Sequence, residues 1–499
     1  MIADNDLLSM QQARILAENA GVAQKRLAEL PQDFLDGVVG RIASALENHA
    51  RELALLAYEE TGYGNLRDKE IKLLFVCRAL SRVLDGKKCV GALKEDAIGN
   101  ILEVGVPRGP VAALCPSIDP VSTAASTALL AVKSGNAVVF CLHPRAARAM
   151  AKTLDIAIEA GLAAGLPENS LAYLPIPARQ GVAELLGHPD IRLVVNSGVE
   201  RLLDVCRQSG KPMIYGGTGN GPAFIERSAD IRAAAEDIVV SKAFDCGTSP
   251  SAEQCVVVDA VIENEARLAF RQCGAYFMTE KESAALAAML FQPDGRHRRD
   301  LVGVDAPTVA ERAGFKAPGA TVLIADRRFV SETDAYNREL LAPILPWYVE
   351  DDWRHACEKC IELLLRGRTG HSLSIHSKDS DVVRQFALKK PVARMLVNSP
   401  ASLGGMGATS GLFPAMTLGS STGLGITSDN LSPDNLVYVR RIGYPERSAE
   451  DFLRCIGAGK CTDTVAKANE LSASHEKQDE FEALKHALRE TIRGLQDLH

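Results

Sequence analysis

Ser241-Lys-Ala-Phe-Asp-Cys-Gly-Thr-Ser-Pro-Ser-Ala-Glu-Gln-Cys255 is the stretch on which the reading of this chain turns. The amphipathic run 231–240 leads in, and the unbroken apolar run 255–258 leads out as a predicted buried strand. Gly247, Thr248, Ser249 and Pro250 cannot continue a helix. The segment therefore predicts a helix–loop–strand crossing, which can present a small side chain at the bottom of a cleft.

Toward the N-terminus, apolar residues recur at helical spacing: Leu35, Val38, Val39, Ile42, Leu46, then Leu53, Leu55 and Leu56, then Ile71, Leu74 and Phe75. They predict helices over 7–85, punctuated by Pro31 and the Gly62-Tyr-Gly64 turn. From residue 100 the period changes. Short apolar runs at 101–106, 111–114, 137–141 and 192–195 alternate with helical segments, and a second such series runs from 255 through 321–324, 344–349, 372–376 and 393–397. Strands alternating with helices predict an α/β protein with parallel sheets in two halves. Residues 402–430, rich in Gly, Ser and Thr, predict a loop closing over a site.

The end of the chain differs in kind. A polar linker over 457–477 precedes Phe481, Leu484, Leu488, Ile492, Leu495 and Leu498, which share one stripe of a predicted amphipathic helix over 478–499.

Bulk properties bound the function. The 499 residues suffice for more than one core, and 46% apolar with 24% charged residues is ordinary globular composition. A formal charge of −7 with no basic cluster argues against a nucleic-acid surface. Neither a signal peptide nor a membrane-spanning apolar run is read. The 12 cysteines scattered through core-like segments predict reduced thiols in a cytoplasmic protein. His355, Cys357 and Cys360 share a metal-like spacing, but no second ligand pair accompanies them, so no metal site is read.

The stretch 241–255 resembles the nucleophile loop of the CoA-acylating aldehyde dehydrogenases, roughly Ser-Lys-x-Phe-Asp-Asn-Gly-x-x-Cys-x-x-Glu-Gln. Phe244, Asp245, Gly247, Glu253 and Gln254 fall on that pattern, the family's nucleophilic Cys falls on Pro250, and a Cys stands instead at Cys246. Further pieces follow in order. Pro116-Ser-Ile-Asp-Pro120 matches a Pro-x-x-Asn-Pro segment. Phe140-Cys-Leu-His-Pro-Arg-Ala146 matches the motif that holds the cofactor's adenosine, and Asn196-Ser-Gly198 marks a strand-to-helix turn suited to a pyrophosphate. Glu339-Leu-Leu-Ala-Pro343 resembles the segment whose Glu binds the nicotinamide ribose; Gly370-His371-Ser372 and Asn398-Ser-Pro-Ala-Ser-x-Gly-Gly405 match later motifs. Hydrolytic relatives carry a general-base Glu where this chain has Gly216, in Gly216-Gly-Thr-Gly-Asn-Gly-Pro222. Without that base, a thiol acceptor is favoured over water.

The resemblance implies an aldehyde dehydrogenase fold. It has a Rossmann-like nucleotide-binding domain over 1–222 with an oligomerisation segment near 86–106, a catalytic domain over 223–430 and a return segment over 431–456. It implies NAD or NADP as cofactor, coenzyme A as co-substrate, a small aldehyde and a homodimer or homotetramer. Cofactor contacts fall on Pro116, His143, Pro144, Arg145, Ser197, Gly198, Gly217 and Glu339. Catalytic roles fall on Cys246 as a displaced nucleophile, on Asp119 at the oxyanion position and on His371. An ionised Asp119 would repel an oxyanion where the family has an Asn donor, a loss of about 3–4 kcal/mol of barrier stabilisation, unless it is protonated or the substrate brings a positive group. The leading expectation is CoA-acylating oxidation of a short or functionalised aldehyde. The alternatives are a catalytically inactive homologue kept for binding or assembly, and an esterase or CoA-ester binding module. The terminal helix resembles those that target acylating relatives to bacterial microcompartment shells; a protein partner suits its stripe better than a membrane does.

Overall fold

The runs Val111–Leu114 (β3), Val138–Cys141 (β4) and Leu193–Asn196 (β6) are buried at every position, as expected of strands covered by helices on both faces. The computed structural model describes residues 4–96, 100–217, 219–366, 371–421, 423–445 and 447–457. Four helices begin the chain: α1 (Asn5–Leu27), α2 (Gln32–Asn48), α3 (Ala50–Thr61) and α4 (Leu66–Phe75). Asn65 caps α4 by accepting the Asp68 N–H at 2.9 Å.

The sheet that follows has five parallel strands in the order β5-β4-β3-β6-β7, with β5 at Leu171–Leu174 and β7 at Met213–Tyr215. The chain builds outward from β3 to β4 and β5, then returns to place β6 on the other side of β3. That reversal leaves a crevice outside the carboxyl ends of the strands, where open α/β sheets take ligands. Helix α5 (Pro120–Lys133) leaves the end of β3 and is buried along its whole length.

A second sheet of seven parallel strands runs in the order β10-β11-β12-β9-β8-β13-β14. Its members are β8 (Pro222–Ile225), β9 (Cys255–Asp259), β10 (Ala275–Phe277), β11 (Val322–Asp326), β12 (Ile344–Glu350), β13 (Ser372–His376) and β14 (Arg394–Val397). Helices α6 (Ile231–Ala243), α7 (Trp353–Arg366) and α8 (Ser380–Lys389) belong to this half. The chain passes from one sheet to the other between β7 and β8. The expected helix–loop–strand crossing is α6, a short turn and β9.

Both sheets lie in one compact unit, Met1–Val90 with Pro107–Tyr438. A smaller unit consists, among the described residues, of those in Gly91–Val106 and those from 439 to 457. There β1 (Gly91–Asp96) pairs antiparallel with β2 (Ile101–Pro107), with a bulge between Ala92 and Lys94, and β15 (Val437–Gly443) completes a three-stranded sheet. The expected helix over 478–499, and all but the first residue of the linker over 457–477, lie outside the described residues. No helix among the described residues is long and apolar enough to cross a membrane.

Candidate functional site

Helix α6 stops at Ala243 because the next residues reverse the chain. Asp245 (φ 47°, ψ 39°) and Cys246 (φ 55°, ψ 38°) are both left-handed, and Gly247 follows at φ 74°. That conformation costs a residue with a Cβ about 1–2 kcal/mol, and Cys enters it less readily than Asp or Asn. Asp245 holds the turn. Its fully buried carboxylate accepts from Asn65 N–H at 2.8 Å, Lys69 Nζ at 3.0 Å, Lys72 Nζ at 2.8 Å and the Thr248 hydroxyl at 3.1 Å. Its own N–H donates to Asp68 at 2.7 Å. Gly64 is required here: a Cβ on it would fall 1.8 Å from the Asp245 carboxylate.

Burial alone would raise the Asp245 pKa, but Lys72 and Lys69 outweigh it and hold the group at about 2. Lys72 is shared. It also donates to Asp119 at 2.7 Å, so one buried ammonium bridges two carboxylates. Burial opposes the Lys72 charge, yet the two aspartates win and raise its pKa above the ordinary lysine value. Asp119 precedes α5 but makes no side-chain cap, so its carboxylate is free to meet Lys72.

The fold supplies a cation that the sequence reading did not place: Lys72 pairs with Asp119 from within the protein. Lys69 and Lys72 gave no sequence signal: they sit three apart on an ordinary amphipathic helix, and only the fold shows both to be buried.

The cleft beside this network encloses about 440 Å³ of empty space, its mouth included. Asp119 and Lys72 line it with Ser197, Gly216, Gly217, Pro250 and His371. The predicted loop supplies another wall through Met406 and 415–418. Ser197 Oγ meets Thr417 Oγ1 at 2.6 Å, joining that loop to the end of β6. Arg394 fastens the same loop by donating to the carbonyls of Gly419 at 2.6 Å, Ser428 at 2.8 Å and His371 at 3.0 Å. His371 is buried, lies 2.8 Å from the Ser372 hydroxyl, and is driven well below the usual histidine pKa by burial and then by Arg394. It is a neutral imidazole.

Pro250 sits between Ser249 and Ser251, whose hydroxyls are 3.2 Å apart. Its carbonyl is packed so tightly against Gly219 that a Cβ there would stand 1.7 Å away. The N–H of Gly219 donates to Glu339 at 2.7 Å. Burial raises the Glu339 pKa to about 7.

Cys246 is not among the residues that line the cleft. Its surroundings are Asp245, Asn65, Asp305 and Asp68. Burial and then Asp245 push its thiol up to about 11, away from the lowered value an attacking thiolate needs.

The remaining cofactor candidates lie at the carboxyl ends of the five-stranded sheet. His143 lines a pocket of about 510 Å³ with Leu114, Cys141, Val182, Arg179 and Arg201. Burial, then Arg201 and Arg145, lower the His143 pKa to about 4. Pro116 follows β3, Pro144 is exposed after β4, and Arg145 lies with its guanidinium 5.1 Å from the Tyr63 ring centroid. Gly198 (φ 92°) and Gly216 back onto each other: a Cβ on Gly216 would come within 3.3 Å of the Gly198 nitrogen. An apolar pocket with two guanidiniums on its wall and bare backbone beside it fits an adenosine with a phosphate chain. Arg179, Arg201 and Arg394 were missed in the sequence, where nothing distinguishes them from surface arginines.

A fold of two parallel sheets with a cleft at the carboxyl ends of the first defines an α/β enzyme class, and comparison names it. The aldehyde dehydrogenase family profile matches residues 1–272, and the chain belongs to that family. Within it, the chain falls in the acylating branch. It is 30% identical to the succinate-semialdehyde dehydrogenase (acetylating) of Clostridium kluyveri, over 87% of this chain and 96% of that one. It is 33% identical to the aldehyde-alcohol dehydrogenase of Streptococcus pneumoniae, over 80% of this chain but 46% of that protein. The chain thus spans about half the length of such aldehyde-alcohol dehydrogenases. Among solved structures, a probable aldehyde dehydrogenase of Listeria monocytogenes superposes with a TM-score of 0.88 at 41% identity, covering 90% of this chain and 100% of that one.

Proposed function

We propose that this chain keeps the dinucleotide and coenzyme A binding of an acylating aldehyde dehydrogenase but does not form the thioester through which such enzymes oxidise aldehydes. One observation carries the reading. Pro250, which has no nucleophile, forms the cleft wall beside Asp119 and His371, while Cys246 is outside that wall with its thiol pushed up to about 11. Ser249 and Ser251 offer hydroxyls there, but burial and Arg394 make His371, whose Nδ1 faces Ser372, a weak base for them.

A bound nicotinamide dinucleotide would supply a hydride acceptor, and coenzyme A an acyl acceptor. His143, Arg145 and the turn Ser197–Gly198 would hold the adenosine and pyrophosphate, Pro116 and Gly217 would border the chain, and Glu339 would meet the ribose. The domains expected at 1–222, 223–430 and 431–456, a homodimer or homotetramer, and a cytoplasmic setting with or without a microcompartment shell belong to the same proposal.

A second reading, acylating oxidation of a small aldehyde with Cys246 as nucleophile, is favoured by family membership and by the ammonium of Lys72 beside Asp119. Calorimetry with NAD, NADP and coenzyme A, and nicotinamide absorbance with short aldehydes plus coenzyme A, separate the two. The first reading expects binding without turnover, and turnover gained in Pro250→Cys with Asp119→Asn. Wild-type turnover that disappears in Cys246→Ala would establish the second instead. Absence of binding for all three ligands would remove both.

A further inference from the structure

Helix α7 carries Cys357 and Cys360 into the core beneath β8, β9 and β12. Lys390, the residue after α8, reaches back to this helix. Its Nζ donates to the Cys357 carbonyl at 2.8 Å and lies 2.6 Å from Cys357 Sγ. Both side chains are buried, with residue exposures of 8% for Lys390 and 4% for Cys357.

The nitrogen–sulfur distance is the unusual one. Sulfur is a larger atom than oxygen, yet it stands closer to the nitrogen than the carbonyl does. Other nitrogen–sulfur contacts in this protein are 3.3 Å, from His143 N to Met150 Sδ, and 3.6 Å, from Asn196 Nδ2 to Cys206 Sγ. The Lys390–Cys357 separation is too short for that kind of contact and too long for a direct N–S bond. Two single bonds meeting at one oxygen atom, S–O and O–N, span it. No carboxylate among the described residues forms an ion pair with Lys390; the Phe386 ring lies 4.2 Å from its Nζ, and Cys360 stands one turn along α7. A buried cation without a counter-ion is an expensive way to make one hydrogen bond, and the pairing makes better sense as the reduced half of a redox pair.

We propose that Cys357 and Lys390 form an oxidation-dependent N–O–S crosslink that ties α7 to the connection between α8 and β14. Dioxygen is the oxidant. The ammonium first releases a proton to solvent. The thiol and the amine then give up two electrons each, so that the O–O bond, the S–H bond and one N–H bond break. S–O and O–N bonds form, and the second oxygen leaves as water with the two hydrogens. The sulfur stops at the sulfenyl level, the rung of the oxidation ladder that thiol reductants reverse.

The test is peptide mapping of the full wild-type chain, purified under reducing conditions and then held in air-saturated buffer. The expected product is a joined pair of tryptic peptides, one containing Cys357 and one containing Lys390, heavier than their sum by one oxygen and lighter by two hydrogens. Dithiothreitol should restore both free peptides, and the pair should be absent from Cys357→Ser and Lys390→Arg. Oxidised wild type should also melt above its dithiothreitol-treated form, a difference lost in Lys390→Arg. Recovery of Cys357 as a free thiol, as a sulfinic acid or in a disulfide with Cys360, with the Lys390 amine unmodified, would overturn the assignment.

Discussion

Replacing Lys72 by Met removes the cation that two buried carboxylates share. Asp245 keeps Lys69 at 3.0 Å and the N–H of Asn65, whereas Asp119 loses its ion-pair partner among the described residues. The whole environment of Asp245 pulls its pKa from the usual 3.8 to about 2, worth roughly 2–3 kcal/mol at about 1.36 kcal/mol per pH unit. Losing one of its two cations forfeits a share of that, and leaving Asp119 buried and uncompensated adds to it. Breaking buried pairs from one side typically costs about 3–5 kcal/mol, and Lys72→Met should fall in that range. Urea unfolding of the wild type, Lys72→Met, Asp119→Asn and the double variant measures it. Asp119→Asn should be costly in the wild type and nearly free, or stabilising, when Lys72 is already gone, giving a coupling of about 1–3 kcal/mol. Additivity within about 0.5 kcal/mol would refute the shared-cation account.

Acid should act through the same turn. Because folding depresses the Asp245 pKa, its contribution is present above about pH 4 and is lost as pH falls through about 2; Asp245→Asn should flatten that limb of the stability curve, read by circular dichroism. Glu339, raised to about 7 by burial, should make dinucleotide affinity strengthen from pH 6 to pH 8 as the carboxylate becomes available to a ribose hydroxyl, and calorimetry should find this dependence gone in Glu339→Gln. Gly219→Ala places a methyl 1.7 Å from the Pro250 carbonyl; a shifted cleft should lower dinucleotide affinity at least tenfold, and unchanged affinity would mean that Pro250 moves freely. Residues 470–499 fused to a fluorescent protein should form puncta in a shell-forming host if the terminal helix is an encapsulation tag, and a diffuse signal would dismiss that role.

Much of the architecture was legible because it rests on periodicity. Val111–Leu114 and Ser372–His376 were read to the residue, since continuous apolar runs bounded by turns leave little freedom. Short strands without that contrast, such as Met213–Tyr215 and Ala275–Phe277, were not. The site was legible where motif residues stay near the backbone, as with Asp119, Ser197, Gly217 and His371, which the fold gathers in one cleft. It was illegible where long side chains cross the core. Lys72 and Arg394 reach partners that no local pattern announces, and the three residues between Cys246 and Pro250 fix no direction until the left-handed turn is known.

That turn also has a history in time. The lysines that hold Asp245 lie 176 and 173 residues before it in sequence, so the clamp closes only when the N-terminal helices and the second sheet have come together. Contacts that wait on such long-range docking are expected to form after the transition state, so weakening them should speed unfolding while leaving refolding almost untouched. Stopped-flow measurements on Lys69→Met would show this as a change confined to the unfolding limb. A nascent chain would then carry an unlatched cleft until Asp245 has been made, and the helix that carries Lys69 and Lys72 decides when the cleft becomes a site.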